Sequence, residues 1–210
     1  MSDFIPFAVR SGILVDMGLV TPKASRYDKA GEGPKHRMRV LVPKSDTAAL
    51  QAIKAAEQEA LRVKNLLGKA GVRLMLQDGD ETDAKGVRLH PEAYAGHAFI
   101  TASCKAERPP TLQVGREKRA GNAADFYSGA QIAGAFTCFG YDMGGQSKGC
   151  SALINLVWKI GAGSRISLGN DASDQLSDLV VSWSADDQDR QDLVGQVKPE
   201  GEDALGAFFK

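Results

Sequence analysis

Apolar and polar residues alternate in short runs along this chain, and one stretch repeats at helical spacing. Residues 36–42 set Met38, Val40 and Val42 on one side and Arg37 and Arg39 on the other. That period of two is what a half-buried strand requires, and Pro43 closes it. Residues 97–105 repeat the pattern, with Ala98, Ile100, Ala102 and Cys104 opposite His97, Phe99, Thr101, Ser103 and Lys105. Residues 11–20 predict a first strand ended by Thr21-Pro22, and residues 72–77 a short one. Two last strands, 129–142 and 149–160, flank a glycine-rich hairpin signal at 143–148. Between the second and third of these runs, Ser45 or Asp46 caps a helix. Its apolar stripe is Leu50, Ile53, Ala56, Ala60, Val63 and Leu67, and Gly68 and Gly71 stop it.

Short strands with glycine corners and one intervening helix predict a mainly β protein built as a small barrel, not a parallel α/β sheet. No repeat of solenoid or propeller period is present. The remaining segments read as loops: a Lys-, Gly- and Pro-rich one over 23–35, an acidic turn over 78–83, and a long basic one carrying Arg108, Arg116, Lys118 and Arg119.

Composition adds one strong feature. The formal net charge is +0, yet residues 1–165 hold 23 Lys and Arg against 16 Asp and Glu. Residues 166–210 hold three bases against ten acids, among them Asp186, Asp187, Asp189, Glu202 and Asp203. A basic body with an acidic end is expected of nucleic-acid binders whose tail competes with the ligand or recruits partners. No apolar run reaches the roughly 18 residues of a membrane span, and the first residues lack the features of a secretory signal. Cys104, Cys138 and Cys150 lack metal-ligand spacing and are odd in number, which favours free thiols in a reducing compartment. These features place the protein in the cytoplasm.

Catalytic chemistry finds little support. The acidic turn Asp78–Asp83 lacks the length and spacing of a Ca²⁺ loop and has no second cluster for a two-metal nuclease. His36, His90 and His97 pair with no Cys or acid at ligand spacing. There is no phosphate-cradling Gly-Lys-Ser/Thr loop and no nucleophile elbow. The expectation is a non-enzyme that needs no cofactor or metal.

A sequence-neutral binder of single strands needs cations along a groove for phosphates and flat side chains on which bases stack. The candidates are Arg37, Arg39, Phe99 and Lys105 on the polar strand faces, Tyr94 and Tyr127 in adjoining loops, and Phe139 and Tyr141 on one face of the penultimate strand. Arg116, Lys118 and Arg119 form a basic clamp. Core packing is the alternative for each of these rings, and a solvated edge charge for Arg37 and Arg39, while Phe136 is expected in the core.

Four stretches, in order, resemble a family of OB-fold single-stranded DNA-binding proteins from tailed phages and prophages. They are Val40-Leu41-Val42-Pro43-Lys44-Ser45-Asp46, Gln77-Asp78-Gly79-Asp80-Glu81 and Tyr94-Ala95-Gly96-His97-Ala98-Phe99-Ile100. The fourth is Asp125-Phe126-Tyr127-Ser128-Gly129, leading through Phe139-Gly140-Tyr141 to Ser147-Lys148-Gly149. The resemblance covers about residues 10–169, while Trp158 and the segment 161–165 depart from it. It implies a five-stranded OB barrel over 1–169 with one helix and elaborating loops, and an acidic, partly disordered extension over 170–210. It also implies a role in phage DNA replication, recombination or repair. Phe208-Phe209 after an acidic linker resembles the tail by which such proteins recruit a polymerase, helicase or recombinase, and a homo-oligomer stays open. Two other readings remain: an assembly module of a phage particle built on the same barrel, and a metal-dependent nuclease built on the acidic turn.

Overall fold

In the computed structural model, which describes residues 3–25, 33–144 and 147–166, the chain enters as the long strand β1 (Phe4–Asp16). It starts well before the expected residue 11 and stops before Thr21. Its residues 4–13 pair with a late strand and residues 13–16 with the next one, and the first of these pairings is interrupted by a bulge between Val9 and Gly12. Glycine is required there because a Cβ on Gly12 would lie 2.6 Å from Val40 Cγ1. Strand β2 (Lys35–Pro43) keeps the alternation: Met38, Val40 and Val42 are fully buried.

Helix α1 (Thr47–Val63) begins where Asp46 accepts the Ala49 amide at 3.0 Å, satisfying one of the orphan donors of the first turn. It ends five residues before Gly68. Asn65 takes a left-handed φ of 54°, and the Leu66 amide donates to the Leu61 carbonyl at 2.8 Å. The apolar stripe therefore runs through Ile53, Ala56, Ala60 and Leu61 and finishes on Leu66, while Leu67 is exposed. The expected stripe continued a helical period past the real end of the helix.

Two short strands, β3 (Val72–Arg73) and β4 (Leu76–Asp78), replace the single one expected over 72–77. An excursion with a 3-10 turn at Glu92–Tyr94 leads into β5 (His97–Lys105). The segment read as a basic loop contains β6 (Thr111–Val114) and β7 (Arg119–Ala120), a small hairpin whose first strand runs parallel to the last strand of the chain. Strands β8 (Gln131–Asp142) and β9 (Lys148–Gly161) form the long closing hairpin.

Five strands close into a ring in the order β1, β2, β5, β9, β8 and back to β1. The closing contact is parallel, Ala102↔Ala152 and Ser103↔Leu153. This is the five-stranded OB barrel. Inward-facing Leu14, Met38, Ile100, Ile132, Phe136 and Val157 fill it, and Phe136 stacks on Phe7 with ring centres 5.4 Å apart. Each such side chain contributes about 1.5–3 kcal/mol by leaving water. The apolar face of α1 packs against β1 and β8 and extends this core. Cys104, Cys138 and Cys150 are free thiols and buried. Among the described residues no helix is long and apolar enough to cross a membrane.

Candidate nucleic-acid interface

Strand alternation turns the polar residues of β2 and β5 to the outside of the barrel, in the pairs Arg37↔Ser103, Arg39↔Thr101 and Leu41↔Phe99. Half of this outer face is then covered. The excursion between β4 and β5 folds back over it, and Gly79 permits the close return: a Cβ there would meet the carbonyls of Tyr94 and His97. Phe99 and Tyr94 are fully buried beneath the excursion, their rings edge to face at 5.1 Å, with His90 4.9 Å from Phe99. Neither offers a ring face to a base, so core packing, the alternative to stacking, is the role this structure gives both. Arg39 seals this second small core. Its Nη1 donates to the Tyr94 hydroxyl at 3.1 Å and its Nε to Thr101 Oγ1 at 3.3 Å, with the guanidinium 5.3 Å from the Phe99 ring centre.

The uncovered half of the face is a groove. A cavity of about 200 Å³ opens there, bounded by Arg37, Thr101 and Ser103 of β2 and β5, Tyr141 of β8, Cys150 and Ser151 of β9, and residues of the 73–77 segment. Arg37 also donates from Nη1 to the Lys23 carbonyl at 2.9 Å. Lys105 lies exposed at the end of β5, opposite Lys35. Of the expected residues, Arg37 and Tyr141 meet in this groove. On the neighbouring wall Phe139 is half-buried and tilts against the exposed Phe4 at 6.0 Å, a partner that sequence reading passed over because it precedes the expected first strand.

The other candidates lie elsewhere. Arg116 and Lys118 are exposed on the β6–β7 hairpin, and Lys118 Nζ sits 5.6 Å from the ring of half-buried Trp158. That indole donates to the Gly115 carbonyl at 2.8 Å. Arg119 departs from the expected clamp: it makes a two-pronged ion pair with Asp125 at 2.6 and 3.0 Å. The Arg119 guanidinium, helped by the Asn122 amide, holds the Asp125 carboxyl at about 2. Tyr127 is also engaged. Lys159 and Arg165 each lie 4.9 Å from its ring centre, and its hydroxyl donates to the Gly163 carbonyl at 3.2 Å. A base stacking on Tyr127 would have to displace one of those cations. Sequence reading missed Lys159 and Arg165, whose only signal was their charge near the end of the last strand. Asp186, Asp187, Asp189, Glu202, Asp203, Phe208 and Phe209 lie outside the described residues.

The acidic turn is matched internally. Lys44 reaches Asp78 at 2.5 Å and Asp80 at 2.7 Å, Arg88 reaches Asp80 at 2.9 Å, and the Gly96 amide donates to both Asp80 oxygens. Lys44 foremost, then Gly96 and Arg88, hold the Asp80 carboxyl at about 2. Among the described residues no group of three or more His, Cys, Asp or Glu side chains could hold a metal ion.

Nothing matches among curated proteins. Among solved structures, the chain is similar to the single-stranded DNA-binding protein from bacteriophage Enc34 in complex with ssDNA. The TM-score is 0.61 at 19% identity, over 77% of this chain and 89% of that one. It is also similar to gp2.5, a single-stranded DNA-binding protein encoded by bacteriophage T7. There the TM-score is 0.52 at 11% identity, over 81% of this chain and 94% of that one. At these identities the likeness is one of fold. The family model described as the ssDNA-binding protein of Enterobacter phage Enc34 matches residues 18–192, and with most of its length inside that match the chain belongs to this family of phage ssDNA-binding proteins.

Proposed function

We propose that this chain binds single-stranded DNA without sequence preference and protects it during phage DNA replication, recombination or repair, in the cytoplasm of the bacterial host and without catalysing a reaction. The observation that carries the reading is the groove on the outer face of the barrel, where Arg37 and Tyr141 meet among hydroxyl side chains. A cation and a ring face on one open surface suit a phosphate and its base. Membership of the family supports the same ligand. In this reading residues 1–169 are the binding unit. The acidic extension 170–210 competes with DNA and recruits a polymerase, helicase or recombinase.

Fluorescence titration with oligo(dT), a duplex of equal length and two salt concentrations tests it. Single strands should bind more tightly than duplex, because stacking needs exposed base faces, and affinity should fall steeply with salt. Equal affinity for both forms, or none for either, would favour an assembly role for the barrel.

A further inference from the structure

Beside the seam where β5 meets β9, strands β3 and β4 build a wall. β3 runs parallel to β9 through Val72↔Lys148 and Arg73↔Gly149, while β4 pairs antiparallel with β5. Two features hold this wall in place. Gly149 carries no side chain, and a Cβ there would meet the Arg73 carbonyl oxygen. From the other side the buried Glu57 carboxylate accepts the Met75 and Leu76 amides at 2.6 and 2.9 Å. The cavity of about 200 Å³ is therefore shaped in advance of any ligand. Among the described residues no carboxylate lines it, and Arg73 stands exposed at its edge with no ion pair to them from its guanidinium.

Resting on the single-stranded DNA reading above, we propose that this cavity is a one-nucleotide subsite. Arg37 and Arg73 hold one phosphate, the Tyr141 ring stacks on the attached base, and Gln77, Ser103 and Ser151 meet the base edge. The volume lies below the roughly 300–1,000 Å³ of sites for drug-sized ligands, which suits a single base rather than a stacked pair. The edge-reading groups are an amide and two hydroxyls, each able to donate and to accept. They can satisfy any base, so the subsite anchors the strand without selecting a sequence.

The test measures oligo(dT) affinity of the full-length chain across a range of salt. Arg73→Ala should flatten the salt slope by about 0.7, and Arg73→Lys should keep it. Tyr141→Leu should weaken binding roughly fivefold or more with the slope unchanged. Because both residues would hold the same nucleotide, the double variant should lose less than the product of the single losses. Lys54→Ala, an exposed lysine on α1, is the charge control and should behave as wild type. If Arg73→Ala matches wild type in slope and affinity, or if the two losses multiply, the subsite is overturned while the DNA-binding reading stands. A wild-type chain with no affinity for the oligonucleotide removes both.

Discussion

The Arg39 guanidinium lies 5.3 Å from the centre of the buried Phe99 ring. A cation that sequence alternation places on an open strand face is thus the cover of a small aromatic core. Near a desolvated ring this arrangement contributes about 0.5–2 kcal/mol. It also separates the residues that hold the barrel's outer layer together from those left for a ligand.

Phe99→Ala and Tyr94→Ala should act on stability first. Both rings are fully buried, and removing a buried aromatic costs about 3–5 kcal/mol. Chemical denaturation should show the loss directly. At temperatures where the variants remain folded, their DNA affinity should stay close to wild type. A large loss of affinity in a fully folded Phe99→Ala variant would contradict this placement.

The arginines and lysines should divide in salt titrations. Lys105 and Arg116 are exposed and make no ion pair among the described residues. Each that meets a phosphate contributes about 0.7 to the slope of log affinity against log salt. Arg119 is already neutralised by Asp125 at 2.6 Å. Arg119→Ala combined with Asp125→Ala should therefore leave the slope unchanged, whereas Lys105→Ala should reduce it. A double variant that flattens the slope as much as Lys105→Ala would show that Arg119 leaves its carboxylate for DNA.

The pattern of legible and illegible features has a physical cause. Met38, Val40 and Val42 were readable because strand alternation is local and their face is the barrel interior. Phe99 obeyed the same alternation and still ended buried, because the cover comes from Tyr94 and His90 in an aperiodic excursion. Strand β6 was hidden for a related reason: its partner is distant in sequence, as in Thr111↔Leu156, and the strand is too short for a period to emerge. Arg73 sits in a strand of two residues whose place depends on Gly149 and Glu57. The family resemblance supplied the OB barrel, and alternation alone supplied only a small barrel.

The acidic turn gives a pH prediction. The Asp80 carboxyl is held at about 2 by Lys44, the Gly96 amide and Arg88, below the ordinary Asp value of about 3.9. A carboxylate depressed on folding stabilises the native state fully above its unfolded value, and that contribution fades as pH falls through the folded one. The ties from Asp80 to Gly96 and Arg88 should therefore hold at pH 5 and be lost between about pH 4 and 2. Carboxyl NMR should place the Asp80 midpoint at about 2 in wild type and higher in Lys44→Ala. A midpoint unaffected by that substitution would remove Lys44 as the main cause.

The charge asymmetry of the chain should set how tightly it holds DNA. Residues 1–165 carry 23 bases against 16 acids, and residues 166–210 carry three against ten. Opposite net charges on one chain should attract, and a tether raises the effective concentration of one for the other. DNA and tail should then compete for the same cations. Deleting residues 186–210 removes Asp186, Asp187, Asp189, Asp192, Glu200, Glu202 and Asp203 together with Phe208 and Phe209. The truncated chain should bind oligo(dT) more tightly, with the greatest gain at low salt, where the screening length exceeds the roughly 10 Å it has at 0.1 M. The described barrel should stay folded, because the core residues among those described all precede 166. Full-length and truncated chains are to be titrated side by side from low to moderate salt, with thermal melts as the check on folding. Equal affinities across that range would mean that the acidic residues do not compete with DNA, and any partner recruitment by Phe208 and Phe209 would then stand apart from DNA release.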